Sequence, residues 1–130
     1  MVGAMRKRIV LHNRRVEYIL NKEQARAFVH DRLQVLNQHY CFDYKRVSIR
    51  NQKTRWGSCS KRGNLNFNYR IARLPVHLAD YIIVHELCHL KEFNHSHAFW
   101  SLVARAIADY RDRRRELRQV SLRGFFTYAD

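Results

Sequence analysis

The stretch VHELCHLKEFNHSHAFW, residues 84–100, holds four of the chain's eight histidines. Three of its residues, His85, Glu86 and His89, form H-E-x-x-H. Side chains four positions apart on an α-helix lie nearly one above the other, because each residue turns about 100°. Both imidazoles can therefore reach one ion from one face, a spacing that suits Zn²⁺. Glu86, beside the first ligand, is angled toward a metal-bound water rather than the metal. Zinc lowers the pKa of such a water toward neutrality, and a carboxylate there can take the proton as general base. The alternative is a helix with two half-buried structural histidines. The apolar run before the motif and the further histidines after it favour the metal.

A catalytic zinc takes three protein ligands and keeps one position open. His95 lies six residues after His89, the interval found in H-E-x-x-H-x-x-G-x-x-H metalloproteases. That class is excluded, since Glu92 stands where its Gly would be and the methionines, Met1 and Met5, lie upstream of the motif rather than in a later Met-turn. His97 is the rival third ligand. Spacing favours His95, because the helix must stop for the chain to fold back over the ion. His97 then opens the following helix and faces solvent or the mouth of the site. Glu92 shares the ligand face but sits two turns from His85, which suits an outer partner of a ligand better than a ligand.

The elements that must position these residues can be read from periodicity. Residues 1–15 read as a basic lead-in, with a short strand around Val16–Leu20. Asn21 and Gln24 have capping-box spacing and open a helix to about His39, with Val29, Leu33, Leu36 and Tyr40 facing the core. The middle of the chain changes period. RVSIRNQ alternates, with Val47 and Ile49 on one face; TRWGSCS follows, then a turn at SKRGN and a run in which Leu65, Phe67 and Tyr69 oppose Asn64, Asn66 and Asn68. Two or three antiparallel strands account for this. Pro75 begins the motif helix, which carries Leu78, Ile82, Ile83, Leu87 and Leu90 and ends near Phe93 or Asn94. Ser96 caps a last long helix from about His97 to Gln119, with Phe99, Val103, Ala106 and Tyr110 inward.

The chain's 130 residues suit one domain, 1–130. Three cysteines, Cys41, Cys59 and Cys88, have no paired spacing and read as free thiols in a reducing compartment, so the expected location is cytoplasmic. No apolar run is long enough for a membrane span or a signal peptide. Against 11 Asp and Glu stand 25 Lys and Arg, a formal charge of +14. That surplus attracts polyanions, nucleic acid included, but is equally compatible with solubility alone. The arginines at 111, 113, 114, 115 and 118 can contact phosphates or form a solvated face paired with Asp112 and Glu116; no base-reading motif accompanies them. Arg55 is a candidate for binding an anionic substrate. Trp56 reads as core beneath the motif helix, and Gly57 as a point of close approach.

RWGSCS, GNLNFN, a Pro and then DYIIVHELCHLKEFNHSHAFW, in that order, resemble the YgjP-like metal-dependent hydrolase family over about residues 45–105. That family is related to zincin-type metallopeptidases, including the SprT-like group. The resemblance implies an α+β, zincin-like fold: a small antiparallel sheet packed against the motif helix, with two flanking helices. It implies His85, His89 and His95 as ligands of one zinc ion and Glu86 as the catalytic glutamate. Family members begin with a longer strand-rich segment; here about twenty residues precede the first helix, so part of the cleft wall is expected to be missing. The resemblance implies a hydrolase acting on a peptide or related bond, with nucleoside triphosphate pyrophosphatase activity as the alternative. A third reading is a basic nucleic-acid-binding module with structural zinc. An open ligand position and an available glutamate argue against it. Substrate-contacting residues and oligomeric state are not legible.

Overall fold

The helix expected to open at Asn21 opens at Val2 in the computed structural model, which describes residues 2–120 and 122, with side chains from Arg15 onward. This first helix, α1 (Val2–Leu36), replaces both the lead-in and the strand expected at Val16–Leu20. Asn21 does not cap: its side-chain amide donates to the Glu17 carbonyl one turn back. Tertiary contacts hold this segment helical. Tyr18 packs edge-on against Tyr69, its hydroxyl donates to the Ile49 carbonyl, and Glu17 pairs with Arg73. Further along, Ala25, Val29, Leu33 and Leu36 are buried on one stripe, as their spacing predicts.

After a 3₁₀ turn at Asn37–His39, the Asn37 side chain clamps Phe42 through both its backbone N–H and its carbonyl, and the chain enters the sheet. Strands β1 (Arg46–Arg50), β2 (Gly57–Cys59) and β3 (Asn64–Asn68) lie in the order β1-β3-β2. The β2–β3 pair is an antiparallel hairpin, turned by Gly63 at φ +91°. β1 runs parallel to β3, so the sheet is mixed where an antiparallel one was expected. The cause is the 51–56 loop, which carries the chain past β3 and leaves β2 on the edge. Asn68, fully buried, secures that loop by donating to the Gln52 and Arg55 carbonyls at 2.6 and 3.0 Å. Alternation along β3 sends Leu65 and Phe67 into the core.

A 3₁₀ segment, Tyr69–Arg73, leads to Pro75, the N-cap of α2 (Val76–His89). α2 is the central helix, with Leu78, Ile82, Ile83, Val84 and Leu87 buried. Arg32 of α1 grips Asp80 of α2 with two hydrogen bonds of 2.9 and 2.8 Å. The last long helix expected from His97 to Gln119 is broken in two, α3 (His97–Ala106) and α4 (Tyr110–Leu117). At Ile107 the backbone leaves the helical region, at φ −134° and ψ 89°, and Ile107 itself is buried. The bend returns α4 to α2: Arg113 donates to the His77 carbonyl and Glu116 meets the His77 ring. A straight helix would carry those residues away from the core. Fold class is α+β, four helices around a three-stranded sheet. None of the helices is long and apolar enough to cross a membrane, among the described residues.

Candidate active site

α2 ends at His89, four or five residues before the expected stop at Phe93 or Asn94. The chain turns through Leu90–Glu92, and the Glu92 carbonyl accepts from His89 Nδ1 at 2.9 Å. A carbonyl can only accept, so Nδ1 carries the proton and Nε2 presents a lone pair. Glu92 thus partners His89 through its backbone rather than its carboxylate. His85 is oriented in the same way: its Nδ1 donates to Glu86 Oε2 at 3.1 Å, freeing Nε2.

The turn then brings His95 over the end of α2. His95 Nε2 lies 3.0 Å from His89 Nε2 and 3.1 Å from His85 Nε2. One ligand atom from each histidine falls within 4.8 Å of the others. Ligands 2.0–2.1 Å from a tetrahedral zinc stand about 3.3 Å apart, close to these separations. Lone pairs crowded this closely repel one another unless a cation lies between them, so the donor set fits a divalent ion. Burial lowers the pKa of His89 and of His95, with His85 nearby pushing in the same direction on each. Both are thereby held neutral, the form a metal requires.

His97 stays outside this group. It is exposed at the start of α3, with Nδ1 3.3 Å from the Ser101 hydroxyl. Ser96 caps α3 as expected, accepting from Phe99 N–H at 3.3 Å. No cysteine joins the cluster. Cys88 is buried on another face of α2, and burial pushes the Cys59 and Cys88 thiols up to about 11, away from the thiolate a metal binds.

Phe99 forms the floor of the site. Its ring stacks on His89, with centroids 4.4 Å apart, and meets His85 and His95 edge to face. Trp100 stacks on His95 and on Tyr110, with Arg114 over its ring. Helical spacing marks Phe99 only as apolar; nothing in its period says that histidines cover it.

Glu86 is buried at 6% exposure, and Gly57 is the reason it fits. A Cβ at Gly57 would stand 3.2 Å from Glu86 Cγ and 3.1 Å from the Asn66 carbonyl oxygen, closer than most real Cβ contacts. The close approach expected of Gly57 is therefore to the motif glutamate.

Beside Glu86 and His85 opens a cleft of about 470 Å³. Residues 53–57, the end of the loop and the start of β2, line one part of it; Arg114 and Leu117 of α4, with Arg118, Val120 and Leu122 beyond it, line another. Trp56, expected in the core beneath the motif helix, is half-buried against the core and also lines this cleft. Tyr81 also lines the cleft, and burial pushes its hydroxyl up to about 12 against the pull of Arg114 and Arg118. Of the arginine run, Arg113 and Arg115 pair with Asp109 and Asp112, whereas Arg114 and Arg118 line the cleft. Lys53, Tyr81, Arg114 and Arg118 were not singled out as cleft residues by the sequence; for Arg114 and Arg118 the reason is that the helix break that aims α4 carries no Gly or Pro.

A buried helical glutamate beside three convergent histidines, lining a cleft, is an arrangement suited to metal-dependent hydrolysis. A model of the YgjP-like metallopeptidase domain matches residues 10–120, and the chain belongs to that family. The crystal structure of the metallopeptidase zymogen of Pyrococcus abyssi abylysin is similar at 26% identity and a TM-score of 0.57, covering 68% of this chain and 93% of that one. The metallopeptidase zymogen of Methanocaldococcus jannaschii jannalysin shares the fold at 24% identity and a TM-score of 0.55, covering 72% and 92%. No curated protein matches the chain.

Proposed function

We propose that the chain is a zinc-dependent peptidase in which His85, His89 and His95 hold one ion and Glu86 is the general base. The convergence of three Nε2 atoms beside a buried carboxylate carries this reading. Zinc, favoured by an all-imidazole donor set, would polarise the scissile carbonyl and acidify a water molecule. Glu86 takes the proton from the attacking water and delivers it to the leaving nitrogen. Its Oε2 already holds His85 Nδ1–H, which leaves Oε1 for that proton. β2, on the sheet edge next to the cleft, offers unpaired backbone groups to an extended peptide.

Three histidines, rather than the four ligands of a structural zinc, disfavour the nucleic-acid-module reading. The test is elemental analysis followed by parallel peptide and nucleotide hydrolysis screens. One zinc per chain and peptide cleavage are expected, with Glu86→Gln binding zinc but losing about 10²-fold or more in kcat. Full activity in Glu86→Gln sinks the mechanism. Metal-dependent pyrophosphate release from nucleoside triphosphates, without peptide cleavage, would replace it with the pyrophosphatase reading.

A further inference from the structure

The cleft is lined by four cations, Lys53 and Arg55 on one wall and Arg114 and Arg118 on the other. Among the described residues its only carboxylate is that of Glu86. Elsewhere on the surface five arginines have carboxylate partners, Arg26 with Glu23, Arg32 with Asp80, Arg73 with Glu17, Arg113 with Asp109 and Arg115 with Asp112, whereas others, such as Arg46, Arg62 and Arg111, have none among the described residues. Among the described residues, none of the four cleft cations has a carboxylate partner. Arg114 lies on α4 and Arg118 caps its C-terminus, beside Arg113 and Arg115, which do have partners. The cleft thus gathers four such cations around one carboxylate among the described residues.

A concave site lined by one sign of charge over apolar walls concentrates its field. Here the walls include Trp56 and Tyr81. The loop that carries Lys53 and Arg55 is not free to swing away, because Asn68 holds the Gln52 and Arg55 carbonyls. Arg114 is likewise braced by its contact with the Trp100 ring. A peptide laid along β2 passes between these walls on its way to Glu86. Its side chains there meet guanidinium groups with hydrogen-bond donors to spare, which match carboxylates in a bidentate manner.

We infer that this cleft selects acidic peptides, binding Asp or Glu side chains next to the scissile bond through Arg55, Arg114, Arg118 and Lys53. The inference rests on the peptidase reading above and assigns its substrate class. A nucleotide is the less suited anion: the cleft is approached by the C-terminal turn of α4, and no glycine-rich loop or helix N-terminus supplies the backbone donors that cradle phosphates.

The test pairs cleavage with binding. Zinc-loaded protein is given a peptide mixture of diverse sequence, and cleavage sites are mapped. In parallel, Glu86→Gln is titrated with fluorescent acidic, neutral and basic peptides of equal length. Asp and Glu should be enriched beside the cleaved bond, and acidic peptides should bind most tightly, with a preference that shrinks as salt rises. The double variant Arg55→Glu/Arg118→Glu should lower the acidic-to-basic ratio of kcat/KM by about tenfold or more. Arg62→Glu/Arg111→Glu, with the same change in net charge away from the cleft, should leave the ratio unchanged.

Cleavage and binding without acidic preference overturn the inference, as does an equal response to the two double variants. No peptide cleavage, with selective binding of acidic peptides by Glu86→Gln, overturns the peptidase reading while the cleft's preference stands. Pyrophosphate release from nucleoside triphosphates without selective peptide binding overturns both.

Discussion

The ring of Phe99 lies nearly parallel to that of His89, 4.4 Å between centroids and 26° between planes, and is itself fully buried. The same ring turns its edge relation to His85 and His95, so one apolar side chain sets the orientation of three imidazoles. Phe99→Leu keeps the volume of an apolar floor but removes the flat surface. Zinc affinity should fall by about 10–100-fold, the scale at which outer partners of a ligand act. Phe99→Ala should in addition cost about 3–5 kcal/mol of stability. Calorimetric metal titration and thermal unfolding separate the two effects.

His95 and His97 differ by two positions and by everything in their surroundings. His95→Gln should weaken zinc binding by more than about a hundredfold, since a ligand is lost outright rather than reoriented. His97→Gln, at an exposed helix start outside the cluster, should bind zinc as the unaltered chain does. Equal losses in the two variants would remove His95 from the ligand set.

Gly57 and Glu86 make a second steric pair. Gly57→Ala must displace Glu86 or the Asn66 carbonyl by a few tenths of an ångström. Peptidase kcat should fall several-fold, less than the roughly hundredfold that a 1 Å misplacement costs. Zinc content should not change, because Gly57 does not touch the histidines' converging face. A variant that loses metal together with activity would show that the strand supports the ion rather than the base.

The Arg32–Asp80 pair joins α1 to the helix that carries the motif, with side chains 29% and 12% exposed. Asp80→Ala leaves a partly buried guanidinium without its partner and should cost about 2 kcal/mol, within the range for hydrogen bonds to charged groups. Arg32→Ala/Asp80→Ala should cost less than the two single substitutions added together. Strict additivity in denaturant unfolding would mean that the pair contributes nothing as a pair.

Much of the site was legible in the chain itself. H-E-x-x-H needs only helical pitch to bring His85 and His89 together, and pitch is a local property of the backbone. Ser96 as a cap, Gly57 as a close approach and the buried stripe from Val29 to Leu36 likewise follow from steric rules acting over a few residues. Spacing also favoured His95 over His97, although the reason was only partly right. The helix stops earlier than expected, at His89, where the Glu92 carbonyl is taken up by the His89 ring.

What the chain alone did not reveal depends on contacts between residues far apart in sequence. Residues 16–20 have strand-like side chains, but Tyr18 and Glu17 hold them helical against Tyr69, Ile49 and Arg73. The parallel pairing of β1 depends on Asn68 gripping a loop thirteen to sixteen residues earlier. The bend at Ile107 has no Gly or Pro to announce it; burial of Ile107 and the stacking of Tyr110 on Trp100 favour it over a straight helix. That bend turns Arg114 and Arg118 into the cleft. Local rules placed His85, Glu86 and His89 on one helix, and tertiary packing decided what stands around them.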